Sequence, residues 1–388
     1  MYPRLLRATC RLLPVLFLGS LCNTAGTTNR PPTVVIIDGP NYVVPTDSVS
    51  FTWLGSDADG NLAGYYFWAD DSATRTWTGD TAVTLRGVAF GSHGFYVQAV
   101  DDSGAKSVAA VRSFRIEYDS AVTPRGTDTT FDIATWNIEN FPKDGETTVN
   151  KLRAVVARLD LDLVCVQEIA DTQAFTRFVD GLAGYSGLHS DDDYGNSYQK
   201  TGVVYKSDVV TVSDVHQLFW HNDSVARPPL EMRVTASHNG SDFDFTLIVL
   251  HLKAGSGTED RAERVATCRL LKEHIDEALE AGGERDFIVA GDWNDQLDDP
   301  PEYNVFQVFL DDTLDYYYLT WPMRSSSYNA SYIGGSLIDH LMVTTDALDE
   351  YAGGSTTTLR LDDEVSGYET VISDHRPVLA MFPVFGGR

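Results

Sequence analysis

Six short segments end apolar, strand-like runs with amides, carboxylates or histidines, and they constrain the fold more than any other feature of this sequence. They lie at residues 136–140, 166–169, 251–253, 291–295, 338–341 and 373–377. A strand in a protein core has no packing reason to end in such a group. The pattern therefore predicts that polar side chains gather where several buried strands end.

From residue 129 onward, apolar strands alternate with helical patterns. Short apolar runs predict strands from residue 131, over 163–167, over 245–252 and over 287–290. Apolar residues at helical spacing predict helices around 152–159 and over 265–279, and Gly282 and Gly283 end the second helix. Strands with covering helices predict a layered α/β architecture.

The six segments, in this order, resemble the motifs of the endonuclease/exonuclease/phosphatase superfamily. This superfamily includes deoxyribonuclease I, apurinic endonucleases, neutral sphingomyelinases and inositol polyphosphate 5-phosphatases. The resemblance covers about residues 129–385, and its strength is the order of the motifs, since each motif alone is common. It implies a four-layered α/β sandwich with two packed sheets and an active site at one edge of both.

The resemblance also implies a role for each polar position. His375 matches the catalytic histidine and Asp339 the aspartate that pairs with it. Asp292 and Asn294 match the pair that orients the attacking water and contacts the phosphate. His251 matches a second histidine found in deoxyribonuclease-like members.

The metal ligands and a phosphate contact are implied in the same way. Glu168 matches the principal metal-binding glutamate, with Asn137 beside it, and Asp374 a second acid of the metal or phosphate site. The implied ion is Mg²⁺ or Mn²⁺. Arg227 occupies the place of an arginine that contacts phosphate.

These residue types suit phosphate-ester hydrolysis on chemical grounds as well. The reaction needs an activated water, neutralised phosphoryl oxygens and a stabilised leaving alkoxide. Magnesium prefers hard oxygen ligands and keeps several waters, so one or two carboxylates and a carboxamide suffice. A histidine paired with an aspartate is fixed in one tautomer and stabilised as imidazolium. The sequence leaves open whether Asp292 or a histidine is the general base.

Three points qualify the implied site. Glu168 and Asp292 could instead cap helices at strand ends. His340 adjoins Asp339 but points to the opposite strand face, so we interpret it as structural. In deoxyribonuclease I the second histidine pairs with a glutamate, whereas residues 198–201 offer no carboxylate. Either Gln199 is a neutral partner for His251, or His251 is tuned differently.

The preceding region, residues 30–118, predicts a small all-β domain. Short β-rich runs alternate with turn clusters, a pattern that resembles immunoglobulin-like or fibronectin type III sandwiches. This domain could contact a surface or polysaccharide, or act as a spacer. Asp57, Asp59 and Asn61 could bind a structural Ca²⁺, or could form a polar turn. Residues 119–128 are rich in Thr, Ser, Pro and Gly and predict a linker before the catalytic domain at 129–388.

Residues 1–26 predict a secretory signal peptide, because three arginines precede an apolar run. A secreted or periplasmic protein is therefore expected, with no later transmembrane segment. Cys22 could be a lipid-anchor cysteine, but Leu21 before it fits such a site poorly. Only Cys165 and Cys268 follow, and both predict core positions without a disulfide.

The charge is concentrated in the second part of the chain. Residues 129–388 carry 19 Lys and Arg against 44 Asp and Glu, out of a net charge of −27 for the whole chain. Such a surface disfavours tight sequence-independent binding of nucleic acid, but not catalysis on a phosphate next to a bound cation. We expect a nuclease acting on DNA or RNA, with a phosphatase or a sphingomyelinase-like phosphodiesterase as alternatives. An inactive adhesion protein is the alternative of another class.

Overall fold

The computed structural model of the protein describes residues 29–41, 43–44, 48–86, 88, 91–116, 122–191, 199–222 and 224–386. The predicted signal peptide and Cys22 lie outside the described residues. Among the described residues, no helix is both long enough and apolar enough to cross a membrane.

In the described part of the N-terminal domain, eight strands form two sheets around one core. They are β1 Thr33–Asp38, β2 Val43–Val44, β3 Val49–Ser56, β4 Leu62–Ala69, β5 Thr76–Thr78, β6 Ala82–Leu85, β7 Gly91–Asp101 and β8 Ala110–Ile116. The sheet orders are β1-β3-β6 and β2-β8-β7-β4-β5. Phe51, Trp53 and Phe95 fill the space between them, and the rings of Phe51 and Phe95 stack at 3.9 Å. The predicted all-β domain is therefore present, with β2 and β5 as additional short strands.

The candidate calcium ligands lie in the turn between β3 and β4. Asp59 accepts a hydrogen bond from the backbone N–H of Arg30, and Asn61 donates one to Asp102. Oδ2 of Asp57, by contrast, is buried without a hydrogen-bond partner among the described residues. A calcium site in this turn stays a prediction.

Among the described residues from 122 onward, the second domain contains twelve strands, six α-helices and several 3-10 turns. The strands are β9 Phe131–Phe141, β10 Leu163–Ile169, β11 Tyr185–His189, β12 Lys200–Lys206, β13 Val210–Gln217, β14 Leu230–His238, β15 Ser241–His251, β16 Phe287–Asp292, β17 Tyr316–Tyr318, β18 Asp339–Thr344, β19 Ser355–Thr358 and β20 Val378–Phe382. The helices are α1 Gly145–Leu159, α2 Thr172–Asp180, α3 Thr258–Glu280, α4 Gln307–Leu310, α5 Leu348–Tyr351 and α6 Tyr368–Val371.

These strands form two six-stranded sheets packed face to face. The first has the order β11-β12-β10-β9-β20-β19, and the second β13-β14-β15-β16-β18-β17. Phe131, Phe245 and Leu247 lie in the apolar core between the sheets. Helices α1 and α2 pack on the outer face of the first sheet, and α3 packs on that of the second. The predicted four-layered α/β sandwich is confirmed.

Side-chain alternation along the central strands decides what faces the space between the sheets. Inner-facing apolar positions alternate with outer-facing ones along β15, β16 and β18. The inner-facing series continues to the strand ends, where it reaches His251, Asp292 and Asp339. The strand register places His251 opposite Asp292, and Asp292 opposite Asp339. The three polar side chains therefore meet at one edge of the second sheet.

Both cysteines after residue 26 occupy core positions. Cys165 lies in the core between the sheets, and Cys268 lies on the buried face of α3, against the outer side of the second sheet. Both thiols are free and buried, so the prediction of core cysteines without a disulfide is confirmed.

The described end of the predicted linker packs on the catalytic domain. Val122 is buried in the core beneath α1. Arg125 forms an ion pair with Glu364, whose carboxylate also accepts the N–H of Thr123 at 2.7 Å. The segment from residue 122 thus contributes to the stability of this domain.

We expect a protein truncated to begin at residue 129 to melt at a lower temperature than one that begins at residue 120. Loss of the buried Val122 side chain should lower the free energy of unfolding by roughly 1–3 kcal/mol. Both proteins should retain turnover on small soluble substrates, because all six motifs follow residue 129. Thermal melts of both, with Val122→Ala in the longer protein as a control, measure the contribution. Equal melting temperatures would contradict it.

Candidate active site

One pair of side chains joins the two sheets. His375 precedes β20 of the first sheet, and Asp339 begins β18 of the second. Nδ1 of His375 lies 2.8 Å from Oδ2 of Asp339, and both residues are buried. Although burial by itself lowers the pKa of this imidazole, the charge of Asp339 and the hydrogen bond to it raise the pKa to about 10. His375 is therefore an imidazolium at neutral pH, with Nε2–H directed away from Asp339.

Asp292 lies at the centre of the cluster. Its Oδ2 accepts a hydrogen bond from Nδ2 of Asn137 at 3.0 Å and lies 3.6 Å from Nε2 of His251 and 4.0 Å from Nε2 of His375. Its Oδ1 accepts the backbone N–H of Asn294 at 2.9 Å. Burial and the nearby charge of Asp339 raise the pKa of Asp292 to about 7. This carboxylate is thus poised to exchange a proton near neutral pH.

Glu168 lies on the opposite side of Asn137. Nδ2 of Asn137 donates to Oε1 of Glu168 at 3.1 Å, and the N–H of Asn140 donates to Oε2 at 2.9 Å. Oε1 of Glu168 is also 3.8 Å from Nε2 of His251. Two carboxylates, Glu168 and Asp292, therefore face each other across one carboxamide and one imidazole.

Left-handed backbone conformations mark the strand ends that supply these groups. Glu139, Asn140, Glu168 and Asn294 have φ between 35° and 64°. Non-glycine residues adopt such angles rarely, and they concentrate where the surrounding structure holds a functional geometry. Here the turn at Glu168 directs its carboxylate toward Asn137 and breaks the register between β10 and β9.

The oxygen-rich donor set suits a divalent cation. Glu168 and Asp292 are hard carboxylate ligands that face the same space. A cation beside Asp292 would stabilise its ionised form and so lower its pKa. A tight group of ligand atoms, within 4.8 Å of one another, comprises Asp292, Asp339 and His375. In that group Oδ2 of Asp339 already accepts a hydrogen bond from Nδ1 of His375. The cation would therefore be held between Glu168 and Asp292, away from Asp339.

Two of the implied metal ligands, Asn137 and Asp374, contact neighbouring protein groups. Oδ1 of Asn137 accepts the N–H of Glu139 at 2.9 Å, so its amide acts here as a donor between two carboxylates. Asp374 contacts Glu139 through its own N–H at 2.8 Å and lies 3.9 Å from Nε2 of His375. Burial is the main reason that the pKa of Asp374 rises to about 6. Asp374 therefore belongs to the His375 side of the site.

Arg227 is held beside the site by two acceptors. Its guanidinium donates to the carbonyl of Leu252 at 3.2 Å and to Oε1 of Gln199 at 2.9 Å. The amide of Gln199 in turn donates to Oδ1 of Asn140 at 2.8 Å. Gln199 therefore orients Arg227 and Asn140, and it is not the partner of His251.

His251 is tuned by burial instead. Its Nδ1 is buried without a hydrogen-bond partner among the described residues, and its Nε2 faces Asp292 and Glu168. Burial, together with the positive charge of Arg227, lowers the pKa of His251 well below its usual value. Of the two alternatives for this histidine, the structure favours different tuning over a neutral glutamine partner.

Comparison with known protein families decides the classification. The model of the Endonuclease/Exonuclease/phosphatase family matches residues 134–375, more than half of the chain. The chain belongs to this family. Members of the family are hydrolases that act on phosphate esters. All six strand-end motifs lie within or at the border of the matched range.

Solved structures with the family fold resemble the catalytic domain at low sequence identity. One is a humanised TDP2 from D. rerio, at 17% identity and a TM-score of 0.48, covering 66% of this chain and 99% of that chain. Another is the human Nocturnin catalytic domain, at 16% and 0.49, covering 67% and 98%. A third is the mannosyl-6-phosphatase Bt3783 of Bacteroides thetaiotaomicron, at 16% and 0.46, covering 64% and 98%. No curated protein sequence matches the chain significantly.

Several contacts around the site were not predicted from the sequence. Glu139 and Asn140 lie inside a recognised motif, but their contacts with Asp374 and Glu168 depend on the left-handed turn. Ser373 accepts the N–H of His375 and donates to the carbonyl of Asn137 at 2.6 Å. Tyr332 packs its ring 5.4 Å from the ring of His375. Glu139, Asn140 and Ser373 lie inside recognised motifs, whereas Tyr332 lies outside all six.

His340 points away from the site, as predicted. Its imidazole contacts Thr320 Oγ1 at 2.9 Å and the carbonyl of Asp295 at 3.1 Å, in the layer beneath α3. We expect His340→Ala to lower the free energy of unfolding by about 2–4 kcal/mol, through a cavity and two lost hydrogen bonds, while changing turnover much less. Thermal melts and turnover of the folded fraction measure both effects. A collapse of turnover with unchanged melting would contradict a structural role.

Proposed function

We propose that this protein is a secreted, divalent-metal-dependent phosphodiesterase that cleaves nucleic acid. The observation that carries the catalytic part is the position of Asp292. Its carboxylate faces Nε2 of two buried histidines and shares Asn137 with Glu168. A base, a cationic donor and a cation-binding carboxylate thus lie around one space.

The side chains divide the reaction between them. Asp292 is placed to orient a water and take its proton, because its carboxylate faces the same space as Nε2 of both histidines. His375 directs Nε2–H into the same space, where it would neutralise a phosphoryl oxygen or protonate the leaving alkoxide. Arg227, anchored by Leu252 and Gln199, adds positive charge beside the phosphate position. A cation held by Glu168 and Asp292 would supply electrostatic stabilisation of the developing negative charge.

A nucleic-acid substrate is supported by the exposed ring of Tyr332. This side chain is 38% exposed and lies directly against His375. A planar group next to the reacting phosphate would stack on it, as bases stack on aromatic residues in single-strand binding sites. The loop at residues 319–324 also carries an aromatic ring that could stack on a base, but it is less suited to this role. Leu319 and Met323 are buried, and the guanidinium of Arg324 covers the Trp321 ring at 3.8 Å.

The proposal of secretion depends on the sequence of residues 1–26 alone, as does an anchor at Cys22. The N-terminal all-β domain would then serve outside the cytoplasm as a spacer or a contact to a surface or polysaccharide. An inactive adhesion protein is disfavoured because every catalytic position of the family motif is occupied.

A substrate panel tests the proposal. Plasmid, single-stranded DNA, RNA, sphingomyelin, inositol phosphates and a simple phosphomonoester should each be assayed with Mg²⁺, Mn²⁺ or excess chelator. We expect cleavage of nucleic acid in the presence of either metal. Tyr332→Ala should raise KM for nucleic acid, while Tyr332→Phe, which keeps the ring, should not. Hydrolysis of only phosphomonoesters or sphingomyelin would reject the nuclease assignment and select the corresponding alternative.

A further inference from the structure

One buried hydroxyl lies between the two segments that supply His375 and Asp339. Ser331 belongs to the loop before β18, outside all six motifs, and the residue is fully buried. Its Oγ accepts the backbone N–H groups of Ile338 and Asp339, each at 3.0 Å. Its carbonyl accepts the N–H of Arg376, the residue after His375, at 2.7 Å. Ser331 therefore bonds the chain at Asp339 and beside His375 at once.

The rest of this loop is also bonded to the segment of His375. Tyr332 pairs with His375 in an isolated antiparallel bridge, and the N–H of Ile333 donates to the carbonyl of Asp374 at 2.8 Å. Backbone hydrogen bonds therefore hold residues 331–333 against the segment that carries His375. Such directional bonds fix the distance between two segments more closely than apolar packing, which is non-directional.

Among the described residues, His375 is the one hydrogen-bond donor to the carboxylate of Asp339. Oδ2 of Asp339 lies 2.8 Å from Nδ1 of His375, whereas Oδ1 is buried without a hydrogen-bond partner. The carboxylate is thus not fixed by a second donor in the part of the chain that the structure describes. Its position depends on the backbone of Asp339, which Ser331 holds.

A hydroxyl oxygen suits two converging N–H groups, because it offers two acceptor lone pairs. Without this oxygen, the N–H groups of Ile338 and Asp339 would lose their shared acceptor in a buried place, which is costly. The start of β18 would then shift toward other acceptors. Threonine would keep the hydroxyl oxygen, whereas the sulfur of cysteine is a weak acceptor.

We propose that Ser331 is a positioning residue, which sets the distance between His375 and Asp339. It acts through the backbone of Asp339 and not on the substrate. The inference rests on the proposed function in one respect, since it requires His375 to act in turnover. A displacement of about 1 Å near a reacting group can lower turnover by about 10²-fold, so this hydroxyl affects the reaction without contacting the reacting atoms.

Turnover of Ser331 variants is the first test. We expect Ser331→Ala to lower kcat by about 10–100-fold on whichever substrate of the panel the wild type cleaves. KM should change much less, because the loss concerns the catalytic pair and not substrate binding. Ser331→Thr, which keeps the hydroxyl, should retain most of the turnover. Ser331→Cys, close in size to serine but a weaker acceptor, should behave like Ser331→Ala.

Thr358→Val is the matched control. It removes another buried hydroxyl of the same region, which donates to the carbonyl of Asn329 at 2.6 Å. Because this hydroxyl does not bond the segments of Asp339 or His375, its loss should lower stability and leave kcat unchanged. Thermal melts of every variant show whether it has folded.

The Nδ1–H proton of His375 gives a second test that needs no substrate. In the full chain with isotope-labelled histidine, its magnetic resonance signal is assigned by its loss in His375→Ala. We expect this signal at low field in the wild type, in Ser331→Thr and in Thr358→Val, because the proton is bonded to a carboxylate. In Ser331→Ala it should move to higher field or be lost through exchange with water.

The proposal requires both effects. A folded Ser331→Ala variant with wild-type kcat overturns it, as does a loss of kcat with an unchanged His375 signal or a loss no larger than that of Thr358→Val. If the wild type cleaves no substrate of the panel, the proposed function fails, and the His375 signal alone decides whether Ser331 sets the pair. If Ser331→Ala does not fold, Ser331→Cys takes its place.

Discussion

Replacing Asp339 with asparagine is expected to leave a folded protein whose turnover is lower by about 10²–10⁴-fold, the range typical of lost acid–base help. Asp339 bonds Nδ1 of His375 at 2.8 Å and raises the pKa of that imidazole. Asparagine keeps the shape but removes the charge, so less His375 is protonated at neutral pH. His375→Ala should be similarly damaging, and the double variant little worse than either single one, because the two residues act as a unit.

The pH profile should move in a defined direction. In the wild type, Asp339 raises the pKa of both His375 and Asp292. In Asp339→Asn both groups should therefore titrate at lower pH. As the pH rises, turnover of Asp339→Asn should begin to increase at a lower pH than turnover of the wild type, because Asp292 ionises earlier. It should also decline at a lower pH, because His375 loses its proton earlier. Turnover against pH for the wild type and Asp339→Asn measures both limbs.

Matched variants decide this assignment. Thermal melts show whether each variant has folded. Additive losses in the double variant would mean that His375 and Asp339 act separately. An unchanged pH profile in Asp339→Asn would mean that Asp339 does not set the charge of His375.

Removal of divalent cations should abolish measurable turnover, a loss of at least about 10³-fold. Glu168 and Asp292 face each other across Asn137, with no Lys or Arg side chain paired to either among the described residues. Without a cation, burial also holds the pKa of Asp292 near 7, so much of this carboxyl is protonated at neutral pH. Turnover in excess chelator, followed by addition of Mg²⁺, measures the dependence.

Glu168→Gln separates metal binding from folding. The amide preserves the shape of the side chain but removes a charged ligand, so the Mg²⁺ concentration needed for half-maximal turnover should rise at least tenfold. His216→Ala is the control, since this half-exposed side chain pairs with Glu231 on a different part of the second sheet. Full turnover of the wild type in excess chelator would show that the reaction needs no divalent cation.

The sequence predicted the parts of the site that depend on local pattern. Apolar runs over 245–252 and 287–290 placed His251 and Asp292 at strand ends, and the order of the motifs identified Asp339. The alternation of side chains along a strand separated Asp339 from His340, which contacts Thr320. That inference succeeded because the side chains of any β-strand alternate between its two faces.

Contacts between distant segments could not be predicted in this way. Gln199 bonds both Asn140 and Arg227, which are far from it in the chain and share no motif with it. The left-handed turns at Glu139 and Glu168 are imposed by tertiary contacts, because neither residue favours that conformation. The linker prediction likewise missed Val122, whose burial depends on where the segment meets α1.

The place of β20 between β9 and β19 has a consequence for biosynthesis. It is the last of the catalytic strands in chain order, yet it pairs with the first of them, and His375 directly precedes it. A nascent chain emerging from the ribosome therefore exposes the edge of β9 until β20 arrives, and it holds Asp339 without its histidine. The site is therefore incomplete during translation of the first strands, and hydrolysis of a phosphate ester requires this final strand to be in place.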